Sequence, residues 1–414
     1  MAKTFCWLLL TVLLYPVAFV AAQPAASNAI APRPAEHEVG STALPRFPRI
    51  AGEFEPQKAI LLSVSDLQPH HAHVLRQIVQ HSADRVPIII LCNNAQQLAQ
   101  TVGWLEEVPG SKSHVSFYQL ELDTIWLRDF GPRIAETESG TMSIDFFYDG
   151  QRPLDDSFPV RWGDVTRAEI NKVPWTMHGG NLICNGEGLG ITTNRIYEDN
   201  YIRFIDPLPA GKNPEIERRK MVDEAFKTSC NLNELLVLEP LREEATQHVD
   251  MFAQLLAKDH ILVAQLDPRV DPVNAQILDA NARRLGEVMV DGHPLKVDRI
   301  QIPPRMDRAW SPYTNTISAN KMILMPTFKS DDPGLVENAL ATYRRLLPEY
   351  YVAAIDTTSM QQLQGSLHCM SVNIPQFAPL PSGLVSYQRA LDYWRTKTRP
   401  DEAGKPVGQS APPR

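Results

Sequence analysis

The sequence predicts an α/β fold, and three observations carry that prediction. Short apolar strand candidates alternate with amphipathic helical patterns between Ala59 and Leu120. Strand-like pieces then recur along the chain, spaced widely enough for intervening helices. About 350 residues remain once the two ends are set aside, more than one ordinary core needs, so two domains or one domain assembled from small units is expected.

In chain order the first strand candidate is Ala59–Val64, followed by a helix over His70–His81, a strand over Val86–Cys92, a helix over Ala95–Leu105 and a strand over Val115–Leu120. Further strand pieces are expected at Leu182–Thr192, Leu235–Leu238, His260–Leu266, Ile317–Pro326 and Tyr351–Ile355. No literal repeat is visible, but recurring strand-plus-helix units are what a diverged repeated architecture leaves behind.

The ends read differently. Lys3 precedes an uncharged run from Phe5 to Ala22 that is interrupted by Pro16 and closes on Val20-Ala21-Ala22, the layout of a cleaved secretory signal rather than a membrane anchor. Residues 1–22 are therefore expected to be a signal peptide and 23–48, rich in Ala and Pro, a flexible linker. A catalytic domain is expected over 49–396 and a disordered tail over 397–414. The product is expected to be exported, secreted or periplasmic, with no stable membrane anchor after cleavage.

With 40 basic against 48 acidic side chains the formal net charge is -8, which argues against a nucleic-acid partner and is compatible with a cationic substrate. Beyond Cys6 in the signal, the cysteines are Cys92, Cys184, Cys230 and Cys369, with no CxxC pair, and disulfides among the first three are left open. Cys92 ends an apolar run and reads as a buried small hydrophobe.

Four segments carry chemistry. In Trp126-Leu127-Arg128-Asp129-Phe130-Gly131-Pro132 a strand-like approach ends on a carboxylate beside a Gly-Pro turn, a common place for a functional residue and equally for a solvated turn. His178-Gly179-Gly180-Asn181 places two glycines ahead of an apolar strand, where backbone must bend or let a ligand approach. Gln247-His248-Val249-Asp250 sets an imidazole and a carboxylate two apart, on one face if the backbone is extended and split if it is helical. Such a pair suits proton transfer, although it also fits an exposed ion pair. In Gly365-Ser366-Leu367-His368-Cys369 a strand would point His368 away from Cys369, so the base for a nucleophilic Cys369 must come from elsewhere, with His248 the natural candidate. The cluster His70-His71-Ala72-His73 reads as a solvated helix face.

Together these segments resemble the agmatine deiminase and bacterial-type peptidylarginine deiminase family of the guanidine-modifying, or pentein, superfamily. The motifs WLRDFGP, FFYDGQRPLDDSFP, HGGNLICNGEGLGITT, QHVDMF, PPRMDRAWSPYTNTISANKMILMPTF and GSLHCMSVNIPQ run in the family's order from about Phe54 to about Pro379. The resemblance implies a five-bladed α/β propeller with pseudo-fivefold symmetry. It also implies Cys369 as nucleophile, His248 as general acid–base, and Asp129 and Asp250 as carboxylates holding a guanidinium, with Trp126, Asn181 and Asn315 as further substrate contacts. Two carboxylates suit a planar, permanently charged guanidinium through paired charge-assisted hydrogen bonds.

The expected reaction is hydrolysis of a guanidinium to a ureido group and ammonia through a covalent amidino-thioester, with no metal or organic cofactor required. The partner is then a small guanidino compound or an arginine-containing peptide or protein, and oligomeric state is left open. Two departures bear on the substrate. His178 stands where agmatine deiminases of this kind carry a glutamate, and in the loop Tyr148–Asp156 only Arg152 matches a pair of arginines, Gly150 falling at the other position. Arg152 could grip a substrate carboxylate or pair with Asp155 or Asp156 as a loop residue. Agmatine, free arginine and peptidyl arginine all remain open, with export favouring peptidyl arginine. Rival readings are a metal site recruiting His178, His248, Asp250 and Cys369, a catalytically silent exported binding protein, and an amidinotransferase sharing the same intermediate.

Overall fold

The computed structural model describes residues 47–201, 213–306, 309–363 and 365–398, all within the compact unit Pro45–Arg414. The expected signal peptide, nearly all of the expected linker, and residues 399–414 of the expected tail lie outside the described residues. No described helix is long and apolar enough to cross a membrane.

The described residues form an α/β structure of five sheets of three to five strands and one two-stranded ribbon, Met289–Val290 with His293–Pro294. The five sheets share one wiring: an antiparallel strand pair, a helix, then a strand returning parallel to the second member of the pair. In three of them the pair is joined by a tight hairpin, Arg133–Thr137 with Gly140–Phe147, Ala253–Ala257 with His260–Gln265, and Ile317–Ala319 with Met322–Thr327. The helices Phe158–Thr166, Pro272–Gly286 and Pro333–Leu346 follow, and the strands Glu169–Thr176, Lys296–Gln301 and Tyr351–Asp356 close each unit in parallel. Ile183–Cys184, Leu189–Thr193, helix Pro214–Cys230 and strand Glu234–Leu238 make a fourth. Parallel pairing of neighbours demands such a crossover, which is why each unit carries a helix.

The fifth unit joins the two ends of the chain. Strand Gln57–Ser63 pairs antiparallel with Ser371–Pro375, Leu62 opposite Ser371, and parallel with Ile88–Cys92, which in turn pairs with Val115–Gln119. Helices Ala72–Ser82 and Ala95–Glu106 make the crossovers. All five residues of Ile88–Cys92 are buried, the uniformly apolar pattern of a strand covered on both faces.

Local signals explain the helix starts. Asn213-Pro214, Asp271-Pro272 and Asp332-Pro333 each place a capping side chain before a proline at the first helical position, and Asp271 and Asp332 accept from Asn274 N at 3.0 Å and Leu335 N at 2.9 Å. Each such cap is worth about 1 kcal/mol.

Several expectations need correction. Leu182–Thr192 and Ile317–Pro326 are not single strands but hairpins, turned at Asn185–Gly188 and at Asn320-Lys321. Asn185 Oδ1 folds the first turn by accepting from Glu187 N and Leu189 N at 2.9 and 3.0 Å. The strand expected from Val86 starts at Ile88, since Pro87 has no N–H to give a ladder. The final helix, Tyr387–Thr398, runs past the expected limit at residue 396. His71 is buried rather than solvated, with its Nδ1 accepting from Gln68 N at 3.4 Å.

Candidate active site

Each link from the closing strand of one sheet to the strand pair of the next carries one of the residues singled out in the sequence. Asp129 lies between Val115–Gln119 and Arg133–Thr137; His178 to Asn181 lie between Glu169–Thr176 and Ile183–Cys184. His248 and Asp250 lie between Glu234–Leu238 and Ala253–Ala257, Asn315 between Lys296–Gln301 and Ile317–Ala319, and Cys369 between Tyr351–Asp356 and Ser371–Pro375.

These links converge over Gly180. A Cβ placed there would lie 2.7 Å from His248 Nδ1, 2.9 Å from Asp250 Oδ2 and 3.1 Å from Asp129 Oδ1. Only glycine leaves that space open, and Gly179 is equally constrained, since its Cβ would fall 2.0 Å from Arg128 O. Cys369 Sγ stands 3.9 Å from Asp250 Oδ2, which joins the thiol to the same cluster. The structure thus brings Asp129, His248, Asp250 and Cys369 together.

The local conformations differ from the expected ones. Asp129 sits in the one-turn helix Leu127–Phe130 rather than at a strand end. His248 caps the short 3-10 turn Val249–Met251, yet it and Asp250 still face one site. The preceding Gln247 is held at φ 59°, in the left-handed region, by Glu244, which accepts its N–H and both the N–H and the hydroxyl of Thr246. Cys369 lies in a turn, so the strand argument that sent His368 the other way does not apply. His368 instead faces Asp250, donating from Nδ1 to Asp250 Oδ2 at 2.7 Å and from Nε2 to Glu53 Oε2 at 2.9 Å.

Glu53 is the residue that sequence reasoning missed. It pairs with Arg128 and with His368. Arg128 is buried and structural: its Nη2 donates to Asn373 Oδ1 at 3.0 Å, while its backbone N–H donates to Cys369 O at 3.0 Å. A buried Arg128 demands a carboxylate, but nothing in the sequence says which one, because Glu53 lies far away in the chain.

Asn315 is fully buried and holds the Cys369 thiol. Its Nδ2 donates to Cys369 Sγ at 3.3 Å and its Oδ1 accepts from His368 N at 3.0 Å. Asn181 braces the other side, its Oδ1 accepting from Thr193 N at 3.1 Å and Val249 N at 3.2 Å. Its Nδ2 has no partner among the described residues. Trp126 packs its ring against Gly365, where a Cβ would fall 2.4 Å from the indole.

The His178 ring lies edge-on to Tyr148, with centroids 4.9 Å apart, and its Nδ1 is 3.2 Å from His248 Nε2. Arg152 pairs with neither Asp155 nor Asp156; its Nη1 donates to Tyr148 Oη at 3.0 Å and its Nε lies 3.8 Å from Asp149. Asp155 and Asp156 are occupied instead by Thr124 Oγ1 at 2.8 Å and Tyr148 N at 2.7 Å. Asp129, His178 and His248 each offer a ligand atom within 4.8 Å of the others, a different set from that of the rival metal reading.

Burial governs the protonation of the cluster. It pushes the Asp129 carboxyl up to about 6, against the pull of His178 and with the help of the Asp250 charge. Burial first, then the charges of Asp250 and Asp129, hold the Cys369 thiol well above its ordinary value. Burial lowers both His248 and His178, outweighing the carboxylates nearby. His368 goes the other way: burial and Arg128 would lower it, but Glu53 and Asp250 raise it above its ordinary value. Burial would raise Glu53 too, yet Arg128 and His368 hold it well below the usual carboxylate range. Cys92, Cys184 and Cys230 are buried free thiols, raised chiefly by burial.

Comparison with known proteins places this geometry. The model of the Porphyromonas-type peptidyl-arginine deiminase family matches residues 49–375. A protein of Vibrio parahaemolyticus named "Putative agmatine deiminase" is 20% identical over 298 residues, covering 64% of this chain and 79% of that one. One of the same name from Streptomyces coelicolor is 25% identical over 290 residues, covering 63% and 79%. Among solved structures, a "Putative Arginine Deiminase" from Porphyromonas gingivalis has a TM-score of 0.66 at 22% identity, covering 80% of this chain and 99% of that one. The agmatine deiminase of Enterococcus faecalis also has a TM-score of 0.66, at 18% identity, covering 82% and 99%. These structural likenesses establish a shared α/β fold, and the match over most of the chain establishes more: it belongs to the Porphyromonas-type peptidyl-arginine deiminase family.

Proposed function

We propose that this deiminase hydrolyses the guanidinium of arginine, in peptides or as the free amino acid, to a ureido group with release of ammonia. The observation that carries the reading is the convergence of Asp129, Asp250 and His248 over Gly180, with Cys369 Sγ 3.9 Å from Asp250. Burial and the charge of Asp250 raise Asp129 despite the pull of His178 and Arg128, an unfavourable arrangement that a bound guanidinium relieves. Its arrival offsets the two charges that, after burial, hold the Cys369 thiol up, so the thiolate forms when substrate binds and its proton passes to His248.

The thiolate adds to the guanidinium carbon, forming the C–S bond and a tetrahedral adduct. His248 gives a proton to one terminal nitrogen, which leaves as ammonia with the C–N bonding pair. Water then attacks the amidino-thioester carbon, His248 takes its proton, and the C–S bond breaks to return the thiolate and the ureido product. Asn315, donating to Sγ, supports the developing thiolate in both half-reactions.

The substrate end of the reading rests on His178 and Arg152. A neutral imidazole replaces the carboxylate that would favour the ammonium of agmatine, and the Arg152–Tyr148 hydrogen bond sets a cation beside it. That pairing favours a substrate carrying a carboxylate. The five sheets of common wiring, each link between them giving a site residue, support a five-bladed propeller with pseudo-fivefold symmetry. We also read residues 1–22 as a cleaved signal and 23–48 as a linker, giving an exported enzyme, for which peptide arginine is the accessible substrate.

Colorimetric ureido formation by the protein from Gln23 onward, with agmatine, free arginine and an arginine peptide side by side, tests the reading. Turnover of arginine substrates that disappears in Cys369→Ala and falls by orders of magnitude in His248→Ala is expected. Turnover of agmatine alone would overturn the substrate, and a full-activity Cys369→Ala would overturn the mechanism.

A further inference from the structure

His178 does more than remove a carboxylate. Its Nδ1 lies 3.2 Å from His248 Nε2. Two nitrogens on one tetrahedral zinc, each about 2.0–2.1 Å from the metal, stand roughly 3.3 Å apart. A carboxylate oxygen of Asp129 completes a set in which each ligand atom lies within 4.8 Å of the others.

Two further observations point to a cation there. His248 is 2% exposed, and its Nδ1 makes no hydrogen bond among the described residues, although Asp129 Oδ1 is 3.5 Å away. Asp129 Oδ1 and Asp250 Oδ1 are likewise buried without a hydrogen-bond partner. Two imidazoles and one carboxylate suit zinc, whereas calcium and magnesium want oxygen.

We propose that Asp129, His178 and His248 form a zinc site inside the substrate pocket, so that Zn²⁺ reversibly excludes the guanidinium. The exclusion rests on the deiminase reading above, because it assigns the same carboxylate and imidazole to substrate. The metal site itself rests on geometry alone. Zinc bound here takes the proton-transfer imidazole and one of the two guanidinium-holding carboxylates, and it leaves Cys369 free.

The test separates the two claims. Calorimetric titration of zinc into Cys369→Ala protein should give one site per chain, and X-ray absorption should show nitrogen and oxygen neighbours with no sulfur shell near about 2.3 Å. His178→Phe, which retains a ring against Tyr148, and His178→Ala should each weaken that binding at least about 10-fold in the same background. In the unmodified protein, zinc should raise KM for the arginine substrate without lowering kcat, and EDTA should reverse the effect. Absence of zinc binding by Cys369→Ala, a sulfur shell in the unmodified protein, or unchanged affinity in both His178 variants would overturn the site. Zinc binding as described in a protein that turns over no guanidino substrate would leave the site standing and remove the deiminase reading.

Discussion

His368 Nδ1 donates to Asp250 Oδ2 at 2.7 Å, so the carboxylate facing the Cys369 thiol is held by an imidazole whose charged form Glu53 favours. The side chain of His368, the chain neighbour of Cys369, therefore reaches the thiol through Asp250. His368 is a positioning residue that also tempers the field at the thiol.

Replacing it makes that influence measurable. His368→Gln should lower kcat/KM about 100-fold while leaving the fold intact, since the interaction lost is a buried charged hydrogen bond. Because Asp250 then presents its full charge to Cys369, the kcat/KM profile should also move to higher pH. A lower rate with an unmoved profile would mean that His368 only packs.

Gly180 should tolerate nothing larger. Gly180→Ala places a methyl group 2.7 Å from His248 Nδ1 and 2.9 Å from Asp250 Oδ2, where the substrate's guanidinium is expected to lie. Loss of at least about 1,000-fold in kcat/KM is expected, with a circular dichroism spectrum like that of the parent. Near-normal turnover would place the substrate elsewhere.

Asp129 should trade stability for function. Its carboxyl is pushed up to about 6 from an ordinary value of 3.8, so keeping it ionised costs the fold on the order of 3 kcal/mol at pH 8. Above pH 6 the cost is fully present; it fades as pH falls through 6, because the folded state then takes up the proton, and is gone below the unfolded value. Asp129→Asn should thus be inactive yet melt a few degrees higher at pH 8, with the difference closing by pH 4. Thermal unfolding across that range checks it, and a lower melting temperature for the variant at pH 8 would refute it.

Binding by Cys369→Ala protein should follow the same carboxyl. Affinity for a guanidino substrate should decline as pH drops through 6, where Asp129 becomes neutral. Titration calorimetry at pH 8, 6 and 5 reads this directly, and affinity independent of pH would assign the cation to other groups.

Arg152 decides between substrates rather than rates. Arg152→Ala should raise KM for a substrate carrying a nearby carboxylate by about 10-fold, leave its kcat little changed, and leave agmatine unaffected. Equal effects on both substrates would mean that Arg152 merely braces Tyr148.

Much of this was legible in the sequence, and what was not has physical causes. The uniformly buried run Ile88–Cys92 and the amphipathic helices beside it announced themselves by pattern. The hairpin at Asn320-Lys321 did not, because Lys321 sits at φ 62° in a position where glycine is the usual signal. Asn320 sustains the turn through Gln57, whose backbone N–H and C=O it bonds at 2.8 and 2.9 Å, a partner at the opposite end of the unit.

The site was legible as residue types in order, since Asp129, His248, Asp250 and Cys369 lie in conspicuous motifs and converge in the structure. Their supports were not. Glu53 stands in an unremarkable Gly-Glu-Phe stretch, and only tertiary contact shows it between Arg128 and His368. The carbonyl oxygen of Asn181, read from the sequence as a substrate contact, also holds Thr193 and Val249, a use no local pattern reveals.

The pairing of Ser371–Pro375 with Gln57–Ser63 also sets a clock on synthesis. A ribosome makes one partner of that ladder early and the other only after every other sheet of the unit has left the tunnel. Until then Gln57–Ser63 exposes a bare apolar edge, a hazard for aggregation that calls for a chaperone or swift completion. The thiol lies two residues before the closing strand, so a chain still short of Ser371–Pro375 lacks the pairing that fixes Cys369 in place.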